Sequence, residues 1–249
     1  MAAKTNMMPV ISKMYCSSAQ GVFVVRRRPH AVNGGGFVVT DCSQKVAFRV
    51  DGCGILGKKD ELILRDGHGE ALLLIRRKVR LHMIDKHIVF PAAYEHIIQA
   101  TVHMHTWNIL DRFQENISFI FNQGSMVEAL SIYRKWKGYA LDYEGSQELV
   151  FSLKEPNSCL ARTQAIRIST KRTKNKDWDF EIKGYFPDKA CSIVDSKGNI
   201  VSQIGVKELE ELMGSRDLYH VVVTPGIDQA FVFGVIAVLD YIYGESTRC

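Results

Sequence analysis

Histidines suited to metal binding are concentrated in one part of the chain. Five of the eight histidines lie within residues 79–123, namely His82, His87, His96, His103 and His105. Imidazole nitrogens are good zinc ligands, and the i, i+2 spacing of His103 and His105 would let both reach one ion from a strand. The same segment contains none of the chain's 19 glycines. We therefore attribute the histidines to the unusual origin of this segment, and we predict no metal site and no cofactor.

Residues 79–123 interrupt the strand pattern on either side, and we hypothesise that they are a translated, retained intron. Lys78, Val79 and Arg80 can be encoded as AAG|GTAAGG, which is a good splice donor. Residues 119–123, FIFNQ, can be encoded as a pyrimidine-rich tract ending in CAG, which is a good acceptor. Removing the segment keeps the reading frame and joins LLLIRRK to GSMVEALSIYRKWKGY, which restores a strand, a loop and a strand.

Two basic clusters are candidates for contact with phosphate groups. One ends a strand candidate and comprises Arg26, Arg27 and Arg28. The other lies in a hairpin loop, TKRTKNKD, and comprises Lys171, Arg172, Lys174 and Lys176. If the clusters converge on one side of the fold, each cation adds about 1 kcal/mol of attraction to an anionic membrane. The alternative is that charged loops only keep the protein in solution.

Nucleic acid is not an expected partner. The net charge of +5 is mild for a protein of this size, and no stacking aromatic residues interleave with the two basic clusters.

No known catalytic motif is present: the sequence lacks G-x-S-x-G, a P-loop and H-E-x-x-H. Asp41, Asp66 and Asp195 could be proposed as acid–base groups, but each stands between two apolar stretches. In the last two, the pattern Asp-x-x-Gly continues to Gly69 and Gly198, which is typical of a tight hairpin turn. We therefore assign these residues to turns and predict that the protein is not an enzyme.

Short alternating segments predict a protein built mainly of β-strands. In WDFEIKGYF, for example, Trp178, Phe180 and Ile182 alternate with polar residues. Residues 1–18 lack such a pattern and are predicted to form a disordered leader. Residues 19–249 are predicted to form a single domain, interrupted at 79–123.

The cysteines indicate a cellular compartment. Six cysteines are scattered along the chain without a C-x-x-C pair, and the N-terminus has no long apolar stretch of the secretory type. These features predict reduced thiols in a cytoplasmic protein, with a peripheral membrane or nuclear location left open.

One apolar helix is predicted near the C-terminus, at about residues 228–243. Asp228 is a suitable N-cap, Gly244 is a suitable C′ residue, and no polar side chain interrupts residues 230–239. A helix that is apolar on every face must be buried on every face. Roughly 16 residues are fewer than the 20 or so that span a bilayer. In a closed barrel the sheet has no unpaired edge, and an enclosed helix has no face exposed to water. We therefore predict that the helix lies inside such a barrel, with these side chains at its centre: Phe231, Val232, Val235 and Leu239.

Outside residues 1–18 and 79–123, the chain resembles the LURP-one-related family of plants. This family is a branch of the tubby-like superfamily, which also includes phospholipid scramblases. Six segments carry the resemblance: GFVVTDCSQKVAFRVDG (36–52), LILRDGHGEALLLIRRK (62–78), YRKWKGYAL (133–141), DFEIKGYF (179–186), CSIVDSKGNIVSQI (191–204) and VVVTPGIDQAFVFGVIAVLDYIYGE (221–245). The resemblance implies a mainly-β fold, a closed antiparallel barrel of about twelve strands around a central hydrophobic C-terminal helix.

The resemblance implies less about function. Tubby domains bind phosphoinositide headgroups, and LURP-one-related members are associated with plant defence. We therefore expect a non-enzymatic, monomeric domain that binds phosphoinositide or another anionic membrane lipid, or a protein partner. The alternative is a scramblase-like, membrane-active protein with the C-terminal helix in lipid.

The intron hypothesis predicts a mixture of transcripts. Sequencing of full-length transcripts should reveal a form that lacks the codons for residues 79–123, with genomic splice sites at both borders. The hypothesis is wrong if every transcript carries these codons and the genomic sequence has no splice sites there.

Overall fold

The computed structural model describes residues 7–29, 35–52, 60–83, 130–142, 144–155, 165–171, 178–205 and 217–243. The chain divides into two compact units. One comprises Met1–Lys78 with Arg134–Cys249, and the other is Val79–Tyr133. Most of the segment that we interpret as an intron product lies outside the described residues.

Twelve strands form one closed barrel, in which each strand neighbours the strands before and after it and the first neighbours the last. The strands are β1 Gly21–Arg27, β2 Gly36–Asp41, β3 Val46–Asp51, β4 Glu61–Asp66, β5 Ala71–Met83, β6 Leu130–Leu141, β7 Gln147–Lys154, β8 Ile166–Thr170, β9 Phe180–Tyr185, β10 Ala190–Asp195, β11 Ile200–Gly205 and β12 Leu218–Val223. The antiparallel pairing of β1 with β12, from Gly21 opposite Val223 to Arg26 opposite Leu218, closes the barrel. The predicted fold class is confirmed.

One long helix of the described residues, α1 (Gln229–Ile242), fills the barrel. Every residue from Ala230 to Ile242 is buried, including the four predicted central side chains, Phe231, Val232, Val235 and Leu239. Among the described residues, no helix combines the length and the apolar character that crossing a membrane requires.

Aromatic side chains join α1 to the surrounding wall. Phe233 lies 5.2 Å from the rings of both Phe23 and Phe48. On another face of the helix, Phe231 packs against Phe151 at 5.7 Å and Phe180 at 4.9 Å. These contacts tie strands from both halves of the sequence to one helix.

The barrel has two distinct ends. β1 runs from the end at which α1 begins, which we call the cap end, to the end at which α1 finishes, the tail end. Because neighbouring strands are antiparallel, every odd-numbered strand starts at the cap end and every even-numbered strand finishes there.

The predicted aspartate turns all lie at the cap end. In each, the aspartate Oδ1 accepts hydrogen bonds from the backbone N–H groups two and four residues later, and this holds for Asp41, Asp66 and Asp195. A fourth turn of the same form, at Asp142, joins β6 to β7 and was not recognised in the sequence. The fourth residue of each turn has positive φ: 93° at Gly69, 77° at Gly145, 88° at Gly198 and 61° at Gln44.

Within the segment that was predicted to be a disordered leader, the structure describes residues 7–18. They include a short 3-10 helix, Lys13–Tyr15, and two isolated bridges, Met8 with Ile227 and Cys16 with Asp228. The segment therefore lies against the chain just before α1, at the cap end.

Gln44 provides a test of the turn geometry. Replacing Gln44 with Gly should raise the free energy of unfolding by about 0.5 kcal/mol. Removing the left-handed strain, roughly 1 kcal/mol, outweighs the extra freedom of glycine in the unfolded chain. The converse change, Gly69→Gln, should lower the free energy of unfolding by about 0.5 kcal/mol, because the same two terms act in reverse and no atom lies within 4 Å of the added Cβ. Urea denaturation measures the free energy of unfolding of both variants. Changes of the same sign in the two variants would contradict this explanation of the turn geometry.

Candidate functional site

The cap end is held together by the carboxylate of Asp228, which is fully buried. Its Oδ1 accepts a hydrogen bond from Phe231 N–H at 3.2 Å and so caps the first turn of α1. Its Oδ2 accepts three more, from the backbone N–H groups of Val10 (3.0 Å), Ile11 (2.6 Å) and Ser12 (3.0 Å). One side chain therefore fixes both the start of the helix and the N-terminal segment that covers it.

Exposed apolar side chains gather at the same end. Among the described residues, all the large hydrophobic side chains that are exposed lie in the N-terminal segment or in the first residues of odd-numbered strands: Met7, Met14, Val22, Val46, Leu149 and Ile200. Met14 is 85% exposed and Ile200 is 52% exposed, whereas the inward residues of the same strands are buried. We call these six residues the apolar rim.

Lysines accompany the apolar rim. Exposed lysines precede Met14 and Val46 directly in the sequence, as Lys13 and Lys45, and Lys197 lies three residues before Ile200. Lys171 follows the last residue of β8, so it also lies at the cap end. The rim therefore combines apolar side chains with cations, which is typical of surfaces that rest on anionic membranes.

The structure places the described members of the two basic clusters at opposite ends of the barrel. Arg26, Arg27 and Arg28 lie where β1 finishes, at the tail end, whereas Lys171 lies at the cap end. Lys171 forms an exposed ion pair with Glu148. The other three predicted cations of that loop lie outside the described residues: Arg172, Lys174 and Lys176.

Two of the three arginines have internal partners. Arg27 lies 3.7 Å from the fully buried carboxylate of Asp240 in α1. Arg28 donates to Val50 O at 2.7 Å and to Asp51 Oδ1 at 3.0 Å. Arg26 alone of the three is exposed. The side chains of Arg27 and Arg28 are thus engaged in contacts within the barrel.

Asp51 shows how strongly these cations are engaged. Burial by itself raises the pKa of Asp51, but hydrogen bonds from Arg28 and Arg65 and the charge of Arg49 lower it further. The net effect is a pKa below the usual value, so the carboxylate stays ionised and paired.

A second ionic network closes the tail end beside Tyr241. Glu155 accepts hydrogen bonds from Trp136 Nε1 (2.6 Å) and from Arg77 Nε (2.8 Å). Arg77 also donates to Asp60 at 3.1 Å, and Asp60 in turn accepts the Tyr241 hydroxyl. Burial lowers the pKa of Arg77, but Glu155 and Asp60 raise it by more, so the guanidinium stays charged. Sequence reasoning missed this network, because its members are distant in the chain.

Lys189, in the turn between β9 and β10, is a buried cation of the tail end. Its Nζ lies 3.8 Å from the centre of the Phe186 ring and donates to Phe186 O at 3.2 Å. Burial, and then the neighbouring charge of Arg27, lower the pKa of Lys189 to about 7, with Asp240 acting in the opposite direction. Lys189 is thus held against aromatic rings, near the charges of Arg27 and Asp240.

No group of three or more His, Cys, Asp or Glu side chains among the described residues is placed to hold a metal ion. The histidine-rich segment that raised this possibility begins in β5, and His87, His96, His103 and His105 lie outside the described residues.

The comparisons with known proteins agree with the barrel. The family model described as LURP-one-related matches residues 22–124 and 101–240, so it covers most of the chain. Protein LURP-one-related 6 of Arabidopsis thaliana is 48% identical over 244 residues, which are 98% of this chain and 100% of the relative. The chain belongs to the LURP-one-related family. Protein LURP-one-related 16 of the same plant is 41% identical, over 97% of this chain and 95% of the relative.

A solved structure supports the fold of this LURP-one-related chain. An X-ray structure of a protein from Arabidopsis thaliana superposes with a TM-score of 0.54 and covers 93% of this chain and 96% of that one, at 18% identity. The family model begins at residue 22, after the N-terminal segment that Asp228 holds. The alignments with LURP-one-related 6 and 16 cover nearly the whole chain.

Lys189 should make stability depend on pH. Between about pH 7 and pH 9 the unfolded chain keeps this lysine protonated while the folded state releases the proton, so stability should rise with pH. We expect a gain of about 1–2 kcal/mol over this range, and Lys189→Met should abolish it. Urea denaturation at pH 7, 8 and 9 measures the slope, with Lys183→Met, at an exposed lysine of β9, as the control.

Cys191 sets the upper limit of the pH range over which stability should rise. Burial raises the pKa of its thiol to about 12, so above pH 9 the folded state holds a proton that the unfolded chain loses, and this opposes the gain from Lys189. An equal slope between pH 7 and pH 9 in wild type and Lys189→Met would show that Lys189 titrates as an ordinary surface lysine.

Proposed function

We propose that this LURP-one-related chain is a non-enzymatic domain that docks on anionic membrane surfaces with its cap end. The observation that carries the proposal is the concentration of exposed apolar side chains at the one barrel end that also carries the basic β8–β9 loop.

The apolar rim supplies the hydrophobic part of the contact. Met14, Val46 and Ile200 stand on separate elements around the cap end, each exposed and each near a lysine. Side chains of this type enter the boundary between headgroups and acyl chains, while the lysines remain with the headgroups. Such a contact is shallow and reversible.

The cations supply attraction to the headgroups. Each lysine or arginine near an anionic leaflet contributes about 1 kcal/mol, and the cap end carries Lys13, Lys45, Lys171 and Lys197. The loop after Lys171 adds three more in sequence: Arg172, Lys174 and Lys176. The turn aspartates lie at the same end and oppose part of this attraction.

The burial of α1 favours peripheral contact over the scramblase-like alternative. All residues from Ala230 to Ile242 are enclosed by the barrel, so placing this helix in lipid would require the barrel to open. A cytoplasmic, monomeric protein that visits a membrane is consistent with this arrangement. An association with plant defence stays a prediction from the family resemblance.

The buried ionisable groups support a non-enzymatic role. Glu155, Asp60 and Asp228 are each occupied by hydrogen bonds from arginine, tyrosine, tryptophan or backbone donors. Groups that are fully engaged in this way stabilise a fold, whereas an acid–base catalyst must be within reach of a substrate.

Vesicle co-sedimentation tests the docking proposal. Vesicles of phosphatidylcholine with phosphatidylserine, with or without a phosphoinositide, should bind the wild-type protein at low salt and release it in a salt wash. The variant Lys45→Ala/Lys171→Ala/Lys197→Ala should bind about tenfold or more weakly at low salt. A further gain from phosphoinositide would identify the preferred headgroup.

Two further variants separate the contribution of the apolar rim from that of the position of the positive charges. Met14→Ser/Val46→Ser/Ile200→Ser should weaken binding at low and high salt alike, because it removes the apolar contact. Arg26→Ala/Arg167→Ala/Lys183→Ala removes as much charge from elsewhere on the barrel and should bind as wild type does. Equal binding by all four proteins would refute docking through the cap end, and retention through a salt wash would favour the helix-in-lipid alternative.

A further inference from the structure

The N-terminal segment, residues 7–18, contains a serine beside the carboxylate that holds it in place. We propose that Ser12 is a phosphorylation site, and that a phosphate on this residue releases the segment from Asp228. A protein kinase would transfer the γ-phosphoryl group of ATP: a bond forms between Ser12 Oγ and phosphorus, ADP leaves, and the hydroxyl proton passes to a base of the kinase. This release is independent of membrane docking and can be measured without a membrane.

The backbone of the segment is held mainly at one point. The N–H groups of residues 10–12 all donate to one oxygen of Asp228, at 3.0, 2.6 and 3.0 Å. On either side, Met8 N–H donates to Gly226 O at 2.8 Å, and Gly226 N–H donates to Ser17 O at 2.7 Å. Because three of these bonds end on a single carboxylate oxygen, the attachment is sensitive to any charge placed beside it.

Ser12 places a hydroxyl group next to this carboxylate. Its own N–H group is one of the three donors, 3.0 Å from Asp228 Oδ2. Its Oγ accepts a hydrogen bond from Met14 N–H at 3.3 Å, in an exposed contact. Ser12 is half-buried, and the next two residues, Lys13 and Met14, are exposed. The hydroxyl therefore lies near the surface, while the N–H group of the same residue reaches a buried charge.

A phosphate on Ser12 would repel Asp228. Phosphoserine carries a charge of about −1.5 to −2 at neutral pH, and a phosphate beside a carboxylate disrupts local structure. Asp228 is fully buried, so water and salt screen the repulsion only weakly. The 3-10 helix Lys13–Tyr15 offers little compensation, because three residues have too few aligned peptide dipoles to stabilise a phosphate. In the released state water replaces the three donors that Asp228 loses.

Access of the kinase and release of the segment are coupled. A kinase must reach the chain on both sides of Ser12, but in the attached state the N–H groups of Val10 and Ile11 are bound to Asp228. Phosphorylation therefore takes place in a locally opened state, which surface segments with few contacts populate. The phosphate then favours the open state, because it destabilises only the attached one.

Release of the segment would also regulate the docking surface, and this consequence rests on the proposed function. The segment carries Met7, Lys13 and Met14, which the docking proposal places at the membrane. Detachment of these residues, together with a new negative charge at the cap end, should weaken binding to anionic vesicles.

Hydrogen–deuterium exchange of the full-length protein provides the test. Phosphoserine is incorporated during synthesis at position 12 or, as the control, at position 18, since Ser18 is an exposed residue at the end of the same segment. With phosphoserine at position 12, residues 7–17 should exchange about tenfold faster or more than in the unmodified protein. Phosphoserine at position 18 and Ser12→Ala should leave the exchange nearly unchanged. Unchanged exchange in β9 and β10 shows that the barrel remains folded.

Two additional measurements make the outcome decisive. In Asp228→Asn, which lacks the negative charge, phosphoserine at position 12 should no longer accelerate exchange of the segment. Mass spectrometry of the protein purified from its native tissue with phosphatase inhibitors should find phosphate on Ser12. Equal exchange with phosphoserine at positions 12 and 18, or no phosphate on Ser12 in the native protein, would overturn the proposal. Faster exchange without vesicle binding by either form would instead refute membrane docking and leave the release of the segment established.

Discussion

The enclosure of α1 on every side is the constraint from which the rest of the structure follows. A helix with no polar face before Asp240 can be stable in water only if a continuous apolar wall surrounds it. An open sheet would leave part of the helix surface exposed to water, so β1 must pair with β12 and close the barrel. Phe231 and Phe233 anchor the helix to opposite sides of that wall.

Enclosure creates a difficulty at the start of the helix. The first backbone N–H groups of any helix lack partners within it, and at a buried helix start water cannot serve them. The Oδ1 atom of Asp228 accepts a hydrogen bond from the Phe231 N–H group. The second carboxylate oxygen, which is also buried, then requires hydrogen-bond donors of its own. The backbone of Val10, Ile11 and Ser12 provides them, which explains why a segment far away in the sequence is ordered at this point.

The fold could be inferred from the sequence because its main determinants are local. An uninterrupted apolar stretch, aspartates followed three residues later by glycine, and alternation in strands such as Phe180–Tyr185 are all visible in short windows. Sequence reasoning failed where long-range partners decide the outcome. Nothing near Val10–Ser12 shows that their donors meet Asp228, and nothing near Arg27 shows that its charge is taken up by Asp240. The turn at Asp142 differs from these cases, because its Asp-x-x-Gly pattern is local and visible in the sequence.

Pairing between the beginning and the end of the barrel has a consequence for biosynthesis. β1 and the backbone that hydrogen-bonds to Asp228 leave the ribosome long before β12 and α1, which complete their contacts. Contacts of such long sequence separation are slow to form, and the unpaired edge of β1 stays exposed in the meantime. The nascent chain must therefore be kept from pairing with its neighbours until the last strand and the helix have been translated. A domain of this design is more dependent on chaperones during synthesis than its regular, closed final form suggests.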